Sequence, residues 1–278
     1  MSMRKRVLPR GWYPGSAEEC NREIDEFLRG FSPPKGMWRG GVVPHAGWSF
    51  SGRAAARVMS TIAASVRPDR VVIYGGHLSA GNEPVIYTDD SWETPLGEQL
   101  LDSVTSRKLV SAGEAVPAAK GFSDNTVEIQ LPLVRRFFPE VPVLAVHSPA
   151  SERAVRLGEA VAALLEGEGF AAVYIGSADL THYGPNYGFT PKGSSAAAVQ
   201  WVKEENDRSL INKALAMNAQ ALLKDAQSKQ NTCSAGPIAS VIASMSRHSV
   251  PCGKLLEYYT SYDIMPDASF VGYAAIIY

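Results

Sequence analysis

Cysteine is scarce in this chain of 278 residues: Cys20, Cys233 and Cys252 are odd in number and far apart. That spacing excludes a disulfide framework and makes a reducing cytoplasm the expected location. No Cys-x-x-Cys pair occurs, so structural zinc and iron–sulfur clusters lack their usual ligands. Neither a Gly-x-Ser-x-Gly elbow nor a Gly-x-x-x-x-Gly-Lys-[Ser/Thr] loop is present, which removes the signatures of serine hydrolases and P-loop enzymes. No apolar run reaches the roughly 20 residues that span a bilayer. The basic opening Met1-Ser2-Met3-Arg4-Lys5-Arg6 runs into Val7-Leu8-Pro9-Arg10 rather than an apolar core, so no export signal is expected. Positive and negative residues nearly cancel (27 against 28) and are scattered. A basic stripe for a phosphate backbone is therefore missing, and neither nucleic acid nor membrane is an expected partner.

What is present is an ordinary globular composition, 45% hydrophobic and 20% charged. Apolar runs alternate with helical patterns. A helix is predicted from Ser16 to Leu28, with Ser16 as N-cap and Glu18 and Glu19 complementing the dipole. Further helices are predicted over 51–66, 96–106, 125–138 and 151–166, the last with Ser151 as N-cap and Gly167 beyond its end. The pattern from Ser194 to Lys229 is helical too. Strands are predicted at 41–43, 70–75, 84–87, 141–146 and 171–176, and Leu255–Tyr262 with Phe270–Tyr278 reads as an antiparallel pair. With no repeat and no linker, residues 1–278 are expected to form a single α/β domain. Its central sheet should be mixed and largely parallel, flanked by helices.

Three of the 5 histidines follow apolar runs at or just past their C-terminal ends: His45, His77 and His182. The carboxyl ends of strands in an open α/β sheet converge on one crevice, so the three imidazoles point to a metal or acid–base site. His147, ahead of Ser148-Pro149, also ends a strand but no motif supports it. His248 reads as a solvated helix end.

A set of motifs occurs in order along the chain. They are Trp12-Tyr13-Pro14, Pro44-His45-Ala46-Gly47-Trp48-Ser49-Phe50-Ser51-Gly52, Thr94-Pro95-Leu96-Gly97, Glu128-Ile129-Gln130-Leu131-Pro132, Ser177-Ala178-Asp179-Leu180-Thr181-His182-Tyr183-Gly184 and Val271-Gly272-Tyr273-Ala274. Together they resemble the MEMO family (mediator of ErbB2-driven cell motility), whose microbial members are grouped as AmmeMemoRadiSam system protein B. The resemblance runs from about Val7 to Tyr278. It implies a fold similar to the class III extradiol dioxygenases, which are non-haem iron enzymes. It further implies metal ligands at His45, His77 and Cys233, with Asp179 and His182 as catalytic neighbours. The chain departs from the family in two places. Tyr74-Gly75-Gly76-His77 replaces Gly-Pro-Ser-His, and Asp124-Asn125-Thr126 stands where Glu-His-Ser is usual, so a neutral amide replaces an imidazole.

On chemistry alone, two imidazoles with a thiolate suit Fe(II), with copper or zinc as alternatives, and leave positions open for substrate or O₂. Cys233 stands just before an expected helix start, a position that favours the thiolate; a free cysteine is also commonly a small buried apolar residue. Asp179 is placed to orient His182 if their turn is helical, and His182 then serves as acid or base. Trp12, Trp48 and Phe50 are expected to wall a substrate pocket, or else to belong to the core. Two function classes follow. One is a dioxygenase-like oxidoreductase acting on a small aromatic or enol-like molecule. The other is a binding protein that sequesters copper or receives an aromatic peptide side chain. The resemblance permits both: some family members are described as adaptors for phosphotyrosine peptides, and microbial members are associated with a radical SAM protein and an AMMECR1-like protein.

Overall fold

Val71 and Ile73 lie in one hydrophobic core and Val72 and Tyr74 in another, because successive residues of a strand point to opposite faces of its sheet. The same alternation splits Leu144 and Val146 from Val143 and Ala145, and Tyr174 from Val173 and Ile175. The computed structural model, which describes residues 2–193 and 196–278, thus has a central sheet buried on both faces, as strands with near-continuous apolar runs require. Its middle is four parallel strands in the order Gly40–Val43, Ala172–Ser177, Arg70–Leu78 and Val143–Pro149. Phe270–Ile277 adds antiparallel to Gly40–Val43 and pairs in turn with Lys254–Thr260 and His182–Tyr183. Val85–Ile86 and Val116–Pro117 complete the other edge. The expected single α/β domain with a mixed, largely parallel sheet is what the chain forms. No helix among the described residues is long and apolar enough to cross a membrane.

Trp48–Ser65 covers one face of the sheet, and Glu152–Gly167 with Ala235–Ser246 covers the other. The last two helices touch almost backbone to backbone. A Cβ on Gly158 would lie 2.3 Å from the Ser240 carbonyl oxygen, and Ser244 Oγ donates to the Gly158 carbonyl at 3.0 Å. Gly158→Ala should therefore push the helices apart and cost about 1–3 kcal/mol as an overpacking change. A fall in Tm of roughly 2–4 °C per kcal/mol is what thermal unfolding should register.

The helix predicted over 96–106 is corrected. Thr94-Pro95-Leu96-Gly97 is a turn, with Gly97 at φ 106°, joining strands Ser91–Thr94 and Gly97–Leu100. The helix begins only at Ser103, where Asp102 is the N-cap. Asp102 accepts from Thr105 N (3.0 Å), Thr105 Oγ1 (2.7 Å) and Arg70 Nε (2.5 Å). Burial pushes its carboxyl up, but these donors outweigh burial and hold it below the ordinary 3.8. A depressed acid stabilises the fold fully above its unfolded value and loses that contribution as pH falls through the folded one. Asp102→Asn should thus lower stability at neutral pH by about 1–3 kcal/mol and flatten the acid limb below pH 3.8 in denaturant titrations.

The predicted helix over 125–138 is two, Asn125–Glu128 and Leu131–Phe137, with Pro132 in the first turn of the second. Glu128 and Gln130, two residues apart, point to opposite sides. Glu128 accepts from Val7 N, Leu8 N and Tyr13 Oη, while Gln130 reaches Pro44. Ser151 stands at its helix N-cap without a side-chain cap bond. The expected start at Ser194 lies, with Ser195, outside the described residues; from Ala196 the segment is helical in two pieces, the first running to Leu215 with a π-helical turn at Val202–Asn206 and the second from Ala219 to Lys229.

Candidate metal centre

His45 follows the Gly40–Val43 strand, and its main chain is fixed on both sides. Its N–H donates to Asp179 Oδ1 at 2.7 Å, and its carbonyl accepts from Asn125 Nδ2 at 3.0 Å. His77 comes from a bulge near the end of Arg70–Leu78, where the register slips between Gly75 and Leu78. Only glycine fits that bulge. Gly76 has φ 100° and a Cβ there would meet His147 Cβ at 2.7 Å, while one on Gly75 would meet Thr126 Oγ1 at 2.4 Å. Gly75 and Gly76 thus let the chain pass close against Thr126 and His147 as it delivers the His77 imidazole to the crevice. Cys233 arrives from the far end of the chain, one residue before Ser234, the N-cap of Ala235–Ser246. Its N–H donates to the Asp179 carbonyl at 3.3 Å.

The three side chains converge. One donor atom from each of His45, His77 and Cys233 lies within 4.8 Å of the others, and Cys233 Sγ is 3.2 Å from His45 Nε2. Ligands at about 2.0–2.3 Å from a single tetrahedral ion sit roughly 3.3–3.8 Å apart, so small ring rotations suffice to accommodate one. The donor set, two imidazole nitrogens and one sulfur, fits such an ion.

The electrostatics favour the ligand form of the thiol. Burial raises the Cys233 thiol, but His45, His182 and His77 outweigh it and hold it well below its ordinary value. Asp124 Oδ2, 2.9 Å from His77 Nδ1, is the main cause that lifts His77 to about 10. Burial pushes His45 and His182 down, yet Asp179 and Cys233 raise both, His182 to about 9. The thiol and the imidazoles thus favour one another's charged forms.

His182 stands beside the cluster, its Nε2 3.9 Å from Asp179 Oδ2: close enough for charge attraction, too long for a hydrogen bond. The turn between them is not helical, so the condition for Asp179 to orient His182 is not met. Leu180 donates to Gly272 and Gly272 to Thr181, so this segment is stitched to the Phe270–Ile277 strand instead. Asp207 and Asn206 hold the Thr181 hydroxyl from below, and Asp207 also accepts from Thr181 N (3.0 Å) and Tyr258 Oη (2.8 Å).

Above the cluster opens a cleft of about 420 Å³, lined by His45, His77, Asp179 and His182 and walled by Trp12, Phe50, Tyr187 and Tyr273. Trp48 is the exception among the expected wall residues. Its indole is 2% exposed, packs against Tyr13 and Phe27 and donates to the Ile129 carbonyl, so it belongs to the core. His147 is fully buried against Tyr87 and Phe122 and held at about 4 by burial, and takes no part. His248 packs near Tyr174 and Glu166, away from the cleft. A larger hollow of about 580 Å³ along Arg6–Glu19 contains no metal-ligating cluster. Asp124, Ser177 and Gln130 carry no sequence signal of a role at the site, although Asp124 stands directly before the position at which the family's histidine is replaced.

The geometry can be set beside known proteins. A MEMO1 family protein of Methanopyrus kandleri is 30% identical over 286 residues, covering 96% of this chain and 95% of that protein. One from Nitrosopumilus maritimus is 30% identical over 291 residues, with 99% and 98% covered. Among solved structures, an uncharacterized protein of Escherichia coli K12 matches with a TM-score of 0.48 at 12% identity, covering 87% of this chain and 100% of that one. The model of the Memo-like protein family matches residues 5–277, and this chain therefore belongs to that family.

Proposed function

We propose that the protein binds one Fe(II) ion at His45, His77 and Cys233 and is a cytoplasmic, dioxygenase-like oxidoreductase for a small aromatic or enol-like substrate. The observation that carries this reading is the meeting of three side chains able to ligate a metal beside an aromatic-walled cleft that two of them line. Bound there, Fe(II) supplies Lewis acidity and open positions for substrate and O₂. The chain's own side chains do the rest. Trp12 and Phe50 hold a planar ring, Asp124 orients His77, and His182 keeps a proton at Nε2 to deliver to, or recover from, substrate. A functional association with radical SAM and AMMECR1-like proteins would place this reaction as one step of several.

The same donors favour a second reading. Two imidazoles and a thiolate also suit copper, so the site would serve sequestration, or the cleft would receive an aromatic peptide side chain. Against a phosphorylated side chain stands the lining itself, which has no Lys or Arg to pair with phosphate. Elemental analysis of untagged protein purified without oxygen is the test. About one iron per chain is the expected result; stoichiometric copper would favour sequestration, and no metal the adaptor.

A further inference from the structure

We infer that Ser177 is a positioning residue that locks His45 in its Nδ1–H tautomer, leaving Nε2 as the nitrogen offered to the ion; this rests on the metal reading above. The argument is a count of protons around one oxygen. Ser177 ends its strand with a fully buried hydroxyl that meets three partners: the Thr126 carbonyl at 2.6 Å, Gln130 Nε2 at 3.1 Å and His45 Nδ1 at 3.3 Å. A carbonyl can only accept, so the single hydroxyl proton goes to Thr126. Both lone pairs must then receive a donor.

Gln130 is the first. Its Nε2 lies 2.8 Å from the Pro44 carbonyl, a separation an amide oxygen would not tolerate, so the NH₂ end faces Pro44 and Ser177. The cost of that orientation is visible: Gln130 Oε1 is buried with no partner. The second donor is His45 Nδ1, which must carry its proton. With Nδ1–H committed, the lone pair of the neutral ring sits on Nε2, the atom 3.2 Å from Cys233 Sγ. Where a carboxylate sets His77, a hydroxyl primed by an amide and a carbonyl sets His45. Neither Ser177 nor Gln130 is one of the three converging donors, and neither lines the cleft.

Outer partners of this kind typically support metal affinity by roughly 10–100-fold. The test uses the full chain loaded with Zn(II), a spectroscopically quiet ion, with affinity read by chelator competition and ring tautomers by ¹⁵N-histidine NMR. In the wild type, His45 should show a protonated Nδ1. Ser177→Ala should weaken Zn(II) binding by about 10–100-fold and disturb the His45 ring while leaving the His77 ring, with its own partner, unchanged. Gln130→Met should shift both readouts in the same direction, and answers the question if Ser177→Ala does not fold. Unchanged affinity and an unchanged His45 tautomer in a folded variant overturn the inference, as does a wild-type ring with bare Nδ1. If the wild type binds no Zn(II), it is the metal reading that fails; the tautomer of the metal-free neutral ring, recorded at alkaline pH, then still decides the role of Ser177.

Discussion

His77→Ala is expected to empty the centre of metal while the fold stands. The ring is held by one side-chain partner, Asp124, and its side chain is 40% exposed, so removing it opens no core cavity. His45 and Cys233 alone leave two donors. Losing an inner ligand should exceed the roughly 10–100-fold penalty of losing an outer one. Metal per chain after dialysis should therefore drop from about one to background, with the circular dichroism spectrum and Tm nearly unchanged. His45→Ala should empty the site as well, with some added loss of stability because that ring is only 2% exposed. Stoichiometric metal retained in both variants would reject the centre.

The second large effect concerns protons. His182→Gln should keep the metal, since His182 is not one of the three converging donors, but lower turnover by about 10²–10⁴-fold, the usual worth of a general acid or base. Under the binding reading, the same variant should weaken ligand binding instead. Asp179→Asn should lower turnover less, because it removes the charge beside His182 while an asparagine Oδ1 can still accept from the His45 main chain. Loss of metal from His182→Gln would make His182 a fourth ligand.

Which of these features can be read from residues alone follows from how locally each is determined. The parallel strands are legible because their runs are apolar on both faces, and His45 and His77 because strand ends in such a sheet share an edge. Cys233 is not reachable that way: its place depends on a helix packing across the sheet, and only the family resemblance points to it. Trp48 goes astray for a simple reason. Its helix begins at Trp48 rather than at 51, and residues two apart on a helix point about 200° from each other. Phe50 therefore faces the cleft while Trp48 faces inward. Pro95 and Gly97 are the local signal of the Ser91–Leu100 hairpin, which a helix over 96–106 overrides. Asp124 and Ser177 act on histidines 47 and 132 residues away, and no local pattern announces such a meeting.

The glycine bulge before His77 also bears on how an ion comes and goes. Cys233 is carried at the head of a helix wedged against the sheet, where a Cβ on Gly236 would strike the Ser148 and Pro149 carbonyl oxygens at 2.3 and 2.4 Å. His45 is only 2% exposed, and its main chain is held by Asp179 and Asn125. Neither has room to swing. His77 alone sits on two residues without side chains, with its ring reaching solvent. Exchange of the ion should therefore run through His77 as a latch, at a rate set by its parting from Asp124. The other two donors stay in place throughout, so the vacated centre remains poised to recapture whichever ion arrives next.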